Sequence, residues 1–387
     1  MDSFVPLSVP NLSGNECKYV NEAVESEWVS SAGAQIGKFE SMLGDYVGAD
    51  YACACQSGTA GLHLCLIHYG IGPGDIVLVP TLTFIATINP ILYQNAKPVF
   101  FDCDDNLCMN LAQVREYIEK ACSYDGSRLI EKKSGSTVKA IIPVHVFGDI
   151  CDMEAVTQIA AQYNLVVIED ATESLGGSIS KGKYKGRHTG TVGHAGVFSF
   201  NGNKIITTGG GGMVVSNDKA AVDHMRYLSQ QSKDDTLYFI HNEVGYNYRM
   251  TNLQAAMGIG QMEQLDMFVR AKRRNYLLYK ERLAACDFAY LHGFNEAETS
   301  NYWFYSLILN KPDPEKRDCL ILFLQDKNVQ TRPIWKLNHQ QKPFTSYTNM
   351  DCCKSQRFYD SIINIPCSTN ISEEQIDYVC ACILSFK

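Results

Sequence analysis

The sequence predicts an α/β protein: a large domain built on a mostly parallel sheet covered by helices, then a smaller C-terminal α+β domain. Three observations carry that expectation. Short apolar runs alternate with helical patterns through the first two thirds of the chain, the order that βαβ units produce. The 387 residues exceed what one simple core supports. Late in the chain the alternation gives way to a long amphipathic helical pattern and then shorter mixed elements. The expected division is 1–255 for the large domain and 256–387 for the smaller one.

Residues 58–70, 110–122 and 152–164 each place apolar side chains at helical spacing with polar residues opposite. DIVLVP (75–80), VKAIIPVHVF (138–147), NLVVIED (164–170), AGVFSF (195–200) and GMVVS (212–216) read as strands. Their unbroken apolar character suits a sheet buried on both faces. Residues 245–283 begin GYNYRMTNLQAA and continue as a long amphipathic helix. No repeat or Pro/Ser-rich tether follows, so the two parts are expected to pack closely.

Hydrophobic residues at 45% and charged residues at 20% exclude a disordered chain. With 34 basic and 42 acidic side chains the net charge is −8, which argues against nucleic acid or an anionic membrane surface as partner. Fifteen cysteines, an odd number scattered from Cys17 to Cys382 without any CxxC, read as reduced thiols and predict no metal site. No leader pattern and no run of 18 apolar residues is present, so a cytoplasmic protein is expected.

Ligands of open parallel sheets sit beyond the carboxyl ends of the strands, which directs attention to four places. Asp170 ends NLVVIED, where a carboxylate either caps a helix or meets a cation. Lys204 lies among small and polar residues between two strands, either solvated or held for chemistry. Ser57, Gly58 and Thr59 open a helix, as an ordinary cap or as a phosphate cradle. Gly209 to Gly212 form a run of four glycines that permits a tight turn or close approach to a ligand, with no Walker lysine following. Taken together they match the needs of pyridoxal phosphate: an amine to bond its aldehyde, a carboxylate to hold its ring nitrogen protonated, and a helix N-terminus for its phosphate.

The same stretches carry a resemblance. PNLSGNE (10–16), WVSSAGAQIGKFE (28–40), QSGTAGL (56–62), PTLTFIATINPILYQNAKPVFFD (80–102), PVHVFG (143–148), IEDATESLGG (168–177), FSFNGNKIITTGGGG (198–212), GYNYRMTNLQAA (245–256), TRPIW (331–335) and IPCS (365–368) resemble the pyridoxal-phosphate-dependent sugar-nucleotide aminotransferases, the DegT family of fold type I. The resemblance implies that Lys204 bonds the cofactor and shuttles the substrate proton, and that Asp170 pairs with the ring nitrogen. It implies phosphate contacts from Ser57, Gly58, Thr59 and Ser199, a stacking ring from Phe84, and a phosphate contact from Asn247 of a neighbouring subunit, hence a homodimer with shared sites. Arg249, Arg332 and His339 become the candidate cations for a substrate diphosphate.

Two positions depart from the family's usual pattern: Glu173 where Gln or His is common, and TTGGGG where TTGEGG is common. Within the family, the resemblance implies for this pair the branch that aminates UDP-2-acetamido-4-keto-2,6-dideoxyhexose on the way to legionaminic-type sugars, with L-glutamate as amino donor. The alternatives are a GDP- or dTDP-linked keto-sugar aminotransferase of the perosamine type, or a non-catalytic relative that senses a sugar nucleotide. A sugar 3-dehydratase of the family would carry histidine in place of Lys204. A nicotinamide dehydrogenase would need a GxGxxG turn between an early strand and helix, which is missing.

Overall fold

The computed structural model describes residues 4–295 and 299–386. Its large sheet contains β1 (Tyr51–Cys55), β2 (Asp75–Pro80), β3 (Lys97–Phe101), β4 (Cys122–Tyr124), β5 (Leu129–Glu131), β6 (Thr137–Ile141), β7 (Val166–Asp170), β8 (Ala195–Ser199) and β9 (Gly212–Ser216). The main path runs β1-β9-β8-β7-β6-β2-β3, with β4 and β5 forming a short antiparallel excursion beside β6. Along that path β9 alone runs antiparallel to its neighbours. Its register sets Gly212 beside both Cys55 and Ser199, while Asp170 lies beside Val197. The chain segments leaving β1, β7 and β8 therefore emerge together at one end of the sheet.

Two layers of helix cover the sheet. On one side α1 (Glu16–Glu25) and α2 (Ala34–Val47) pack with a later helix, and on the other α3 (Gly58–His68) packs against β8 and β9. α4 (Asn89–Tyr93), α5 (Leu111–Ala121), α6 (Met153–Tyr163) and α7 (Lys219–Ser229) complete the large layer. The first turns of α3, α5, α6 and α7 are each capped by a side chain, from Ser57, Asn110, Asp152 and Asp218, which satisfies donors that the helix itself cannot.

The predicted strand over 138–147 is shorter than its apolar run, because Pro143 interrupts the ladder and the chain turns at Phe147, whose φ is 57°. The predicted long helix is two: α8 (Asn252–Met262), opened by a capping box on Thr251 and Gln254, and α9 (Leu265–Arg282). Ala255, Ile259, Met262, Leu265 and Phe268 all share the core of α2, β1 and β9. By packing, then, the smaller unit begins along α9, and residue 256 lies inside a helix of the larger layer.

The smaller unit holds β10 (Ala289–Leu291), β11 (Tyr305–Leu309), β12 (Arg332–Pro333) and β13 (Ile362–Ile365), an antiparallel sheet in the order β10-β11-β13-β12. α10 (Pro314–Asp326), α11 (Cys353–Tyr359) and α12 (Glu373–Ser385) accompany it. Val5, Leu82, Val144 and Phe147 from the large unit are buried in the same core as Tyr305, Ile363 and Val379. One continuous apolar interior thus joins the units, as the missing tether predicts. Within the smaller unit, buried Lys272 ties α9 to the segments before β11 and after β13 by donating to the carbonyls of Trp303 and Cys367.

Candidate active site

At the strand ends Ser57, Gly58, Thr59, Phe84, Thr87, Asp170, Glu173, Ser199 and Lys204 line one cavity of about 160 Å³. Sequence positions more than a hundred residues apart are brought together by the register of β1, β8 and β9. The glycines have a steric reason. A side chain at Gly58 would meet Thr172 Cγ2 at 2.9 Å and Ser199 Cβ at 3.1 Å, and one at Gly212 would strike the backbone of Ser57 at 2.5 Å. Ser57 Oγ accepts the Ala60 N–H at 3.1 Å, so it is a helix cap and a cavity wall at once. The N–H groups of Gly58 and Thr59 have no partner inside α3 and are available to an anion.

Asp170 is 2% exposed. Its Oδ2 accepts from Thr87 Oγ1 at 2.7 Å and its Oδ1 from the Thr172 N–H at 3.1 Å. Thr83 Oγ1 lies 2.9 Å from Thr87 Oγ1; since Thr87 spends its proton on Asp170, Thr83 donates. The carboxylate is fixed in orientation by neutral donors, and among the described residues no basic side chain forms an ion pair with it.

Lys204 Nζ stands 3.6 Å from Glu173 Oε1. Burial pushes its pKa down, against the pull of Glu173 and Asp170. Glu173 Oε2 accepts the Phe147 N–H at 2.9 Å, which the turned backbone at Phe147 directs toward it. Burial raises the Glu173 carboxyl to about 7, opposed chiefly by Lys204. A carboxyl raised in the fold binds its proton more tightly there than unfolded, so stability falls as pH rises from about 4.5 to about 7. Glu173→Gln should flatten that slope: melting curves of the cofactor-free proteins between about pH 5 and pH 8 should show a smaller decline for the variant, by about 1–3 kcal/mol. Parallel curves would show that Glu173 does not titrate in this range.

The remaining expected residues are placed less simply. Phe84 is 51% exposed at the cavity mouth, with Trp335 6.2 Å away, so it is not a core phenylalanine. Asn247 is exposed and pairs with Gln230, outside the cavity of its own chain. Arg249 is a correction to the expected substrate cation: it is 8% exposed, and its Nη1 donates to Glu40 Oε1 at 2.5 Å and to the Ala54 carbonyl at 3.2 Å. With Arg226 on the same carboxylate, it braces β1 from behind. Arg332 lies on β12 and lines a separate hollow with Phe4 and Gln330. His339 Nδ1 is 2.6 Å from Thr81 Oγ1, and burial lowers its pKa. None of the three cations lines this cavity.

Residues not singled out from the sequence also belong to the site. Thr83 and Thr87 sit in the quoted stretch PTLTFIAT, where their spacing gave no sign of a contact 83 positions away at Asp170. Trp303 donates its indole N–H to the Asn203 carbonyl at 2.7 Å across 100 positions, a pairing no local pattern reveals.

The chain matches known proteins along nearly its whole length. Residues 10–384 match the profile of the DegT/DnrJ/EryC1/StrS aminotransferase family. The chain belongs to that family. It is 37% identical over 384 residues to the GDP-perosamine synthase of Escherichia coli O157:H7, covering 99% of this chain and 98% of that protein. It is 36% identical over 381 residues to the GDP-perosamine synthase of Caulobacter vibrioides, covering 98% and 97%. A crystal structure of a DegT DnrJ EryC1 StrS aminotransferase from Brucella abortus superposes with a TM-score of 0.86 at 28% identity, covering 96% and 95%. The fold is that of the fold type I aminotransferases.

As a DegT-family aminotransferase the protein uses pyridoxal 5′-phosphate, and the cavity fits it. The N–H groups opening α3 would take its phosphate, the oriented carboxylate of Asp170 would meet its ring nitrogen, and Lys204 is a buried amine of lowered basicity. When bound, the cofactor supplies an electron sink for the carbanion left as a substrate proton departs. With the cofactor bound, Asp170 would hold the ring nitrogen's proton, burial would exclude water, and Lys204 Nζ would be placed to carry a proton.

Proposed function

We propose that the protein transfers an amino group from L-glutamate to the C4 ketone of a GDP-linked 4-keto-6-deoxy sugar, a perosamine-type reaction, with Lys204 and Asp170 as catalytic residues. The observation that carries the choice of nucleotide is the likeness to two GDP-perosamine synthases over nearly the whole chain. That likeness favours the GDP-linked acceptor over the UDP-2-acetamido sugar suggested by Glu173 and the glycine run. Ser57, Gly58, Thr59 and Ser199 take the cofactor phosphate in this reading, Phe84 covers the ring, and Glu173 faces the ring's phenolic side beside Lys204.

The test is a panel of GDP-, UDP- and dTDP-linked 4-keto-6-deoxy sugars, each with glutamate and followed by mass. The GDP sugar should be aminated with kcat/KM at least about tenfold above the others. Preference for the UDP-2-acetamido sugar would overturn the assignment of the nucleotide.

A homodimer with shared sites completes the proposal. Between the paired residues Gln230 and Asn247, a loop carries Leu237, Tyr238 and Val244 at 73%, 74% and 79% exposure. So large an apolar protrusion beside Asn247 fits burial against a second copy of the chain. Asn247 would then reach the partner's cofactor phosphate, and cofactor binding would tighten the dimer by mass action. Asn247→Ala should weaken cofactor retention by about tenfold and erase the cofactor's effect on dissociation, read by sedimentation over a dilution series. A fully active monomer would refute the shared site. Thiols largely buried and unpaired suit the reducing cytoplasm in which such a sugar nucleotide is made.

A further inference from the structure

Residues 300–304 cross from the smaller unit onto three loops, two of which follow Asp170 or carry Lys204. Ser300 Oγ donates to the Gly148 carbonyl at 2.8 Å, and Asn301 Nδ2 donates to the carbonyls of Glu173 and Leu175, both at 2.9 Å. Trp303 Nε1 donates to the Asn203 carbonyl, one residue before Lys204. The indole is 2% exposed. Phe304 lies edge-on 4.3 Å from it, and Phe147 lies 5.9 Å away. Trp303 is itself anchored at both ends, its N–H donating to Asn301 Oδ1 at 3.0 Å and its carbonyl accepting from Lys272. A rotation of the ring would break the indole bond to Asn203 and the contacts with Phe304 and Phe147 together.

Lys204 Nζ lies 3.9 Å from the centroid of this indole. A cation over an indole face is attracted by the ring's quadrupole, most strongly where water is excluded. We propose that Trp303 is a positioning residue for Lys204: its indole face holds the Nζ ammonium inside the cavity, and its N–H ties down the loop that carries the lysine. The groups facing Nζ are then Glu173 and Asp170 on the segment around the end of β7, and the Trp303 ring on the segment before β11. The ring opposes burial, which disfavours the charged amine, without adding a further carboxylate to Glu173 and Asp170. A lysine that must accept a proton from substrate carbon and keep it until delivery is served by such a face.

The inference rests on Lys204 being the amine that bonds the cofactor, but its test reads Lys204 directly. In the cofactor-free full chain, acetylation of Lys204 is followed across pH by peptide mass, with exposed Lys120 as internal reference. Trp303→Leu should lower the midpoint of Lys204 labelling by about one pH unit, while Trp303→Phe, which keeps an aromatic face, should restore most of it. Because Trp303→Leu removes packing as well, fluorinated tryptophans at position 303 give a decisive series of nearly unchanged shape. The midpoint should fall stepwise as fluorine withdraws charge from the face. A midpoint indifferent to fluorination overturns the proposal, whatever Trp303→Leu does, since packing alone would then account for the residue. Loss of Lys204's role in turnover would be seen separately, in Lys204→Ala.

Discussion

Lys204→Ala is expected to lose turnover by at least about 10⁴-fold while keeping its fold, because the variant forfeits both the covalent attachment and the proton carrier. Nζ contributes little to packing: it contacts Glu173 and the Trp303 face inside an existing cavity. Removing it relieves the burial of one charge but leaves Glu173 without its cation, which that carboxyl can answer by taking up a proton, so the fold should persist. Cofactor will still enter, held by the α3 N-terminus and Asp170, but without a covalent bond. Turnover within tenfold of the unmodified enzyme would remove Lys204 from the mechanism.

Asp170→Asn is expected to lower kcat by about 10³-fold, the scale on which removal of one oriented electrostatic partner is felt. The geometry around the side chain can largely persist, since the amide oxygen can keep the Thr172 N–H while the Thr87 hydroxyl turns to accept from the amide nitrogen. What disappears is the negative charge that keeps a ring nitrogen protonated. Binding should therefore weaken much less than turnover, a split read from cofactor titration beside steady-state rates. Equal losses in both would mean that Asp170 only holds the cofactor in place.

The parts of the site legible in the sequence are those fixed by strand ends. NLVVIED puts Asp170 at the tip of a buried strand, and β7 ends there; SGTAGL opens α3 with Ser57 as its cap; the short loop after AGVFSF holds Lys204 in the same cavity. Local patterning fixes such positions because an apolar run must stop where its strand leaves the core. Arg249 illustrates the opposite case. Whether an arginine faces a ligand or a buried carboxylate depends on what the fold sets across from it, and Glu40 is 209 positions away. The division of 245–283 into α8 and α9 was hidden for a related reason, as apolar spacing continues through a break at Glu263 and Gln264. The contacts of Trp303 arise only when the smaller unit docks.

The central claim is that Lys204 is the amine to which pyridoxal phosphate is bonded, in a cavity shared with Asp170 and the N-terminus of α3. Reduction of the cofactor-loaded enzyme with borohydride, digestion and peptide mass mapping tests it most directly. The expected result is one cofactor equivalent per chain, fixed on the peptide containing FSFNGNK, and none on that peptide in Lys204→Ala. Stoichiometric label on any other lysine, with the FSFNGNK peptide unmodified, would contradict the assignment.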